Sequence, residues 1–221
     1  MSHSFFALRP QRVRPLPFLF AWLVCFAVTS ASLRAAELKT IVFLGDSLTA
    51  GYGLDDPASQ AYPALIQAKI DAAHLPYRVV NAGLSGDTTA GGVRRIDWIL
   101  RQPIDLLVLA LGGNDGLRGL APTLSQANLQ AIIDRLREKN PRTQLVLAGM
   151  QMPVSMGEGY AAAFRAMYPA LAEKNRAALV PFLLEGVGAQ PDLNQPDLIH
   201  PTAAGQKLLA ENVWKILRPL L

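Results

Sequence analysis

From residue 37 onward the chain alternates between two hydrophobic rhythms. Short, almost wholly apolar runs bounded by Gly, Pro, Asn or Asp predict buried strands. Longer segments with apolar residues three and four apart predict helices. The strands fall at Lys39–Leu44, Tyr77–Asn81, Asp105–Leu111, Gln144–Ala148 and Leu179–Leu184, and the helices at Tyr62–Ala73, Thr88–Arg101, Pro122–Asn140, Gly159–Asn175 and Thr202–Leu217. Tyr62-Pro63 suits a first helical turn, Asn140-Pro141 a helix end, and Tyr168-Pro169 a kink. Leu65, Ile66, Ile70 and Ala73 share one face of the first helix; Val93, Ile96, Ile99 and Leu100 share one face of the second. On the last helix Leu208, Leu209, Val213, Trp214, Ile216 and Leu217 form the expected buried side. Regular alternation of strand and helix predicts an α/β chain, a three-layer α/β/α sandwich around a five-stranded parallel sheet. Strands apolar along their whole length fit a sheet covered on both faces. Gly186–Ile199 is the longest irregular stretch of this part, and long loops in compact domains are often functional.

The first 36 residues break the rhythm. Arg9, Arg12 and Arg14 precede an apolar run from Phe18 to Val28, which small residues follow. This is the order of a secretory signal, and the run is shorter than the roughly 20 residues a membrane span needs. Residues 1–36 are therefore expected to be a signal peptide, cut after Ala31 or Ala36, with 37–221 one domain that is periplasmic or secreted. No stable membrane anchor is expected after its removal, and Val24 before Cys25 argues against a lipoprotein site. The segment carries four of the chain's 21 basic residues and none of its 17 acidic ones. The remainder is balanced in charge, and nothing in it points to nucleic acid. Cys25 is the chain's one cysteine, so residues 37–221 hold no disulfide, no thiol nucleophile and no Cys-based zinc site.

The chemistry gathers at strand ends. In an open parallel sheet, ligands bind beyond the carboxyl ends of the strands. The first strand runs into Gly45-Asp46-Ser47, the second into Ala82-Gly83, and the third into Gly112-Gly113-Asn114-Asp115. Two histidines follow the signal, His74 and His200. His74 reads as a helix C-terminal residue favoured by the dipole. His200 has Asp197 three residues before it, close enough to hold one ring nitrogen and leave the other for a serine. Ser47 is the candidate nucleophile. Gly83-Leu84-Ser85-Gly86-Asp87 approaches a Gly-x-Ser-x-Gly elbow but ends in Asp, so Ser85 and Asp87 read as turn and helix-capping groups. The Asn114 amide and the Gly83 N–H, beside that of Ser47, are candidate donors to an oxyanion.

Gly45-Asp46-Ser47-Leu48, Gly83, Gly112-Gly113-Asn114-Asp115 and Asp197-Leu198-Ile199-His200, in that order, resemble the sequence blocks of the GDSL or SGNH hydrolases. The resemblance runs from Ile41 to the final helix and favours Ser47 over Ser85. It implies a flavodoxin-like fold, no metal and no cofactor. It also implies a catalytic Ser47, Asp197 and His200, with Ser47, Gly83 and Asn114 forming the oxyanion hole. The expected substrate is a small-molecule acyl ester or thioester with an apolar tail: an aryl ester, an acyl-CoA or a lysophospholipid. Asp46, Leu117, Leu120, Met152 and Pro153 are the expected substrate-binding residues, with Met150 and Met156 nearby. Gly116 and Gly119 are expected to let their loop move over the substrate, and the enzyme is expected to be a monomer. A carbohydrate acetylesterase of the same superfamily and a non-catalytic binding module of flavodoxin-like fold are the alternatives.

Overall fold

Five parallel strands form one sheet in the order β2-β1-β3-β4-β5. They are β1 (Lys39–Gly45), β2 (Tyr77–Gly83), β3 (Leu106–Ala110), β4 (Gln144–Ala148) and β5 (Ala178–Val180). A computed structural model provides this view, and it describes Met1, His3 and residues 37–221. Apart from Met1 and His3, the expected signal peptide lies outside the described residues. Ala36–Leu221 forms one compact unit. Its helices are α1 (Ser47–Ala50), α2 (Pro57–Gln60), α3 (Tyr62–Ala72), α4 (Thr89–Ile99), α5 (Gly113–Leu117), α6 (Pro122–Lys139), α7 (Glu158–Asn175) and α8 (Ala203–Leu217).

The long helices form two packed groups, α3 with α8 and α4 with α6 and α7, on a sheet whose central strand β3 is buried along its length. This is the expected three-layer α/β/α sandwich with flavodoxin-like strand order. Ile41, Phe43, Leu107, Val108 and Val146 are sealed between the layers. Among the described residues no helix is long and apolar enough to cross a membrane.

The departures from expectation have local causes. β5 stops at Val180 instead of reaching Leu184, because Pro181 offers no N–H to a ladder. The chain turns there, held by Gly149 N donating to Val180 O and Leu183 N to Gly149 O, 2.8 and 2.9 Å. Thr88 is the cap of α4, its hydroxyl accepting from Gly91 N. Asp87, expected to cap that helix, instead pairs with Arg95 at 2.7 Å. Leu208 faces outward on α8, where Gln206 and Ala210 are buried. Ala73 is exposed at the end of α3, and His74 follows it with φ 52°. Pro169 lies within α7, which continues through it. The short helices α1 and α5 each follow a strand end and are too brief to show a period.

Two close approaches aim the functional loops. Gly83 lies against the backbone of α1 with no room for a side chain. Gly205, in the first turn of α8, packs on Leu193 O and fixes the entrance of the Asp197–His200 loop. Gly205→Ala is expected to cost about 1–3 kcal/mol, read as a lower urea midpoint with an unchanged slope. An unaltered midpoint would show that the approach is slack.

Candidate active site

Ser47 opens α1, directly beyond the carboxyl end of β1. Asp46 caps the helix, its Oδ1 accepting from Leu48 N at 3.0 Å. Gly51, with φ 79°, ends it one turn later. From inside the fold Thr49 shares a 2.7 Å hydrogen bond with the buried Tyr62 hydroxyl. Gln206 of α8 donates to Leu48 O and accepts from Tyr62 N. The serine therefore stands on a short turn tied to α3 and α8.

His200 reaches it from the far end of the chain. Its Nε2 is 2.9 Å from Ser47 Oγ, and its Nδ1 is 2.6 Å from Asp197 Oδ2. Asp197 also accepts from the backbone N–H groups of Ile199 and His200 through Oδ1, both at 2.9 Å. A carboxylate that takes the proton-bearing Nδ1 leaves Nε2 as an acceptor for the serine O–H. Asn194 and Pro201 pair across the base of this loop, and Gln195 N donates to His200 O at 2.7 Å. The Tyr52 ring lies against the imidazole, centroids 4.7 Å apart. Gln195 Nε2 holds Tyr52 O at 2.7 Å.

The two carboxylates of the site are tuned in opposite directions. Burial pushes Asp46 up to about 6. The Leu48 N–H and the nearby His200 oppose that rise. At Asp197 burial also raises, but the hydrogen bonds from His200 and Ile199 outweigh it and hold the group at about 2. Asp197 is thus a carboxylate at any ordinary pH, as a partner for an imidazolium must be.

On the donor side of the site, the two candidate donors beyond Ser47 are engaged differently. Asn114, in the first turn of α5, gives one amide hydrogen to Asp87 O at 2.9 Å, and its other has no partner among the described residues. Gly83 does not line the cavity, and its N–H is taken by Asn81 Oδ1 at 2.9 Å. Its lack of a side chain serves the contact with α1 instead. Further along the same loop, Asp87 N donates to Leu84 O, closing a turn in which Gly86 has φ 79°. Among the described residues the Gly86 N–H has no partner, and the next residue's carbonyl holds Asn114. Gly86, which like Gly83 is not among the residues lining the cavity, is a second candidate donor in this stretch; its signal was the Gly-Asp pair within the near-elbow motif. Ser85 is exposed in that turn.

A cavity of about 580 Å³ opens beside Ser47 and His200. Asp46, Leu117, Met152 and Pro153 line it as expected, and so does Met150. Leu120 and Met156 do not. Leu120 instead closes the α5 loop, its N–H on Asp115 O and its carbonyl taking the Tyr160 hydroxyl. Another part of the lining was not anticipated: Phe182, Leu184, Gly188, Ala189, Leu198 and Ile199 come from the segment after β5. The irregular stretch 186–199 was the sequence signal for part of it. Among the described residues no cluster of three or more His, Cys, Asp or Glu is arranged to hold a metal.

The chain matches the model of the GDSL-like lipase/acylhydrolase family over residues 43–208. It belongs to this family. Esterase TesA of Pseudomonas aeruginosa is 43% identical over 198 residues, 89% of this chain and 96% of that protein. Thioesterase 1/protease 1/lysophospholipase L1 of Escherichia coli is 39% identical over 207 residues, 93% of each. The crystal structure of AlinE4, an SGNH-hydrolase family esterase, aligns with a TM-score of 0.68 at 42% identity, covering 84% of this chain and 97% of that one. The chain is thus a hydrolase of the GDSL family with an esterase or thioesterase activity.

In this GDSL hydrolase, Asp46 keeps its proton to about pH 6 when folded but loses it near 3.8 when unfolded. The folded state binds the extra proton in that window, so stability falls as pH rises through it and levels off above. The component is on the order of 2–4 kcal/mol. Urea unfolding of Asp46→Asn beside the parent, from about pH 4 to about pH 7, is expected to show the slope reduced in the variant. An identical slope in both would place the proton elsewhere.

Proposed function

We propose that the enzyme hydrolyses acyl esters and thioesters through an acyl-enzyme on Ser47. The observation that carries this reading is the continuous run from Asp197 Oδ2 to His200 Nδ1 and from His200 Nε2 to Ser47 Oγ, 2.6 and 2.9 Å, opening into an apolar-walled cavity. Ser47 Oγ attacks the acyl carbonyl as its proton passes to His200 Nε2. Asp197 fixes the tautomer and stabilises the imidazolium. The oxyanion is received by the Ser47 N–H, the free hydrogen of the Asn114 amide and, in place of Gly83, the Gly86 N–H. Each such donor contributes typically about 2.7–4 kcal/mol. Collapse breaks the bond to the alcohol or thiol, which takes the proton from His200. Water then attacks the acyl-enzyme with His200 as base again, and the carboxylic acid leaves.

The substrate follows from the cavity. Leu117, Met150, Met152, Phe182, Leu184 and Ile199 line it together, a lining for an aliphatic tail, with the methionines able to adapt to its shape. Aryl esters, acyl-CoA thioesters and lysophospholipids all present a carbonyl at the end of such a tail. An apolar lining disfavours the carbohydrate acetylesterase, which needs a shallow polar site with stacking aromatics; Tyr52 is engaged with His200 instead. Ser47, Asp197, His200 and the cavity come from one chain, so a monomer suffices. The basic and apolar order of residues 1–36 supports export as the route to a periplasmic or secreted enzyme.

Ser47→Ala is expected to lower kcat by about 10⁵–10⁶ on p-nitrophenyl esters with an unchanged circular dichroism spectrum. The parent, and not the variant, is expected to be labelled by a fluorophosphonate. Octanoyl esters are expected to exceed acetyl esters in kcat/KM. Turnover retained in Ser47→Ala would overturn the mechanism; an acetyl preference would overturn the substrate class.

A further inference from the structure

We propose that Arg95 is a positioning residue for the Asn114 amide, acting through Asp87. The inference rests on the oxyanion role given to Asn114 above. An arginine on an amphipathic helix is ordinarily a solvated surface group, yet the Arg95 side chain is only 21% exposed and its partner Asp87 only 5%. Each guanidinium nitrogen donates to a different segment of the catalytic rim. Nε binds Asp87 Oδ2 at 2.7 Å, Nη1 binds Ala82 O at 2.7 Å, and Nη2 binds Gly45 O at 2.9 Å. Gly45 closes β1 one residue before Asp46-Ser47. Ala82 is at the end of β2. Asp87 closes the turn that presents Gly86, and its own carbonyl holds the Asn114 amide at 2.9 Å.

This arrangement does more than hold the sheet together. Gly45 O already accepts from Leu84 N at 3.0 Å, so the strand ends are paired without the guanidinium. What Arg95 adds is a fixed distance and angle between the strand that carries the nucleophile and the turn that orients the amide. A planar fork serves three acceptors in one geometry; an ammonium is a point charge and does not. Errors of an ångström in the placement of groups that meet a transition state cost about 10² in rate, whereas substrate held by the apolar cavity walls is bound as before. Loss of Arg95 is therefore read in kcat and not in KM.

The test uses Arg95→Lys, Arg95→Met, Asn114→Ala and the double variant Arg95→Met/Asn114→Ala, assayed on p-nitrophenyl butyrate well below their melting temperatures. Both Arg95 variants are expected to lose about tenfold or more in kcat, with KM within about twofold of the parent. Asn114→Ala is expected to lose about 10²–10³. The double variant is expected to lie within about threefold of Asn114→Ala alone, because two residues acting through one amide are not additive. A purely structural arginine would multiply its loss into that of Asn114, and such multiplication would overturn the proposal. Full kcat in both Arg95 variants, or a loss carried by KM, would overturn it as well. Full activity in Asn114→Ala would overturn the oxyanion reading itself, and with it the role of Arg95, so the two failures are told apart. Arg95→Lys keeps the charge and the length, and carries the comparison if Arg95→Met does not fold.

Discussion

The end of β1 has no room for a side chain. A Cβ on Gly45 would run into the Thr49 side chain and stand 3.1 Å from Ala110 O of the neighbouring strand. The chain can therefore fold from strand into helix within one residue, and Asp46 caps the helix where it starts. Ser47 is thereby set at the tip of a buried strand with its backbone locked. Thr49, Tyr62 and Gln206 then tie the same turn to α3 and α8, so the Ser47 turn inherits the rigidity of the core. Tyr62 and Tyr168 are among the largest fully buried side chains, and each spends its hydroxyl on this rim: Tyr62 on Thr49, Tyr168 on Leu111 O at 3.1 Å.

The other parts of the site are anchored separately. Asp197 and His200 form a loop held by its own hydrogen bonds, by the pairing of Asn194 with Pro201, and by the contact of Gly205 with Leu193 O. Asn114 stands in a third part. Its neighbour Asp115, 1% exposed, binds the Thr89 hydroxyl and backbone of α4 and the Ser125 hydroxyl of α6. The candidate nucleophile, base and oxyanion donor thus ride on different elements, and under the proposed mechanism little is left to move when a tetrahedral centre forms. That is electrostatic preorganisation in structural form. The same principle separates the two carboxylates. Asp197 is given three donors and is held at about 2, while burial pushes Asp46 up to about 6.

Much of this was legible beforehand. Strands buried on both faces are continuous apolar runs, so β1, β3 and β4 declared themselves. Asp197 and His200 are three residues apart, and Ser47 follows a Gly at a strand end; both are local patterns. The expected walls at Leu117, Met152 and Pro153 follow the same strand-end rule. Helices of one turn were not legible, because four or five residues cannot show a period. The boundary of β5 was missed because Phe182 and Leu184 continue the apolar run past Pro181 while leaving the sheet for the cavity. Gly83 and Gly86 stand three apart in one loop, and nothing local tells which N–H is spent: Asn81, two residues earlier, takes one of them.

The sequence by itself determined the α/β class, the order of the strands along the chain, and a serine, a histidine and an aspartate as the candidates for chemistry, because each depends on neighbours within a few residues. Only the tertiary structure decided that Ser47 and His200 meet at 2.9 Å across a separation of 153 residues. It alone decided that Asp87 faces Arg95 instead of capping its helix, that Gly86 and not Gly83 keeps an N–H without a partner among the described residues, and that the segment after β5 lines the cavity. These are contacts between elements distant in sequence, set by how layers pack, and no periodicity along the chain encodes them.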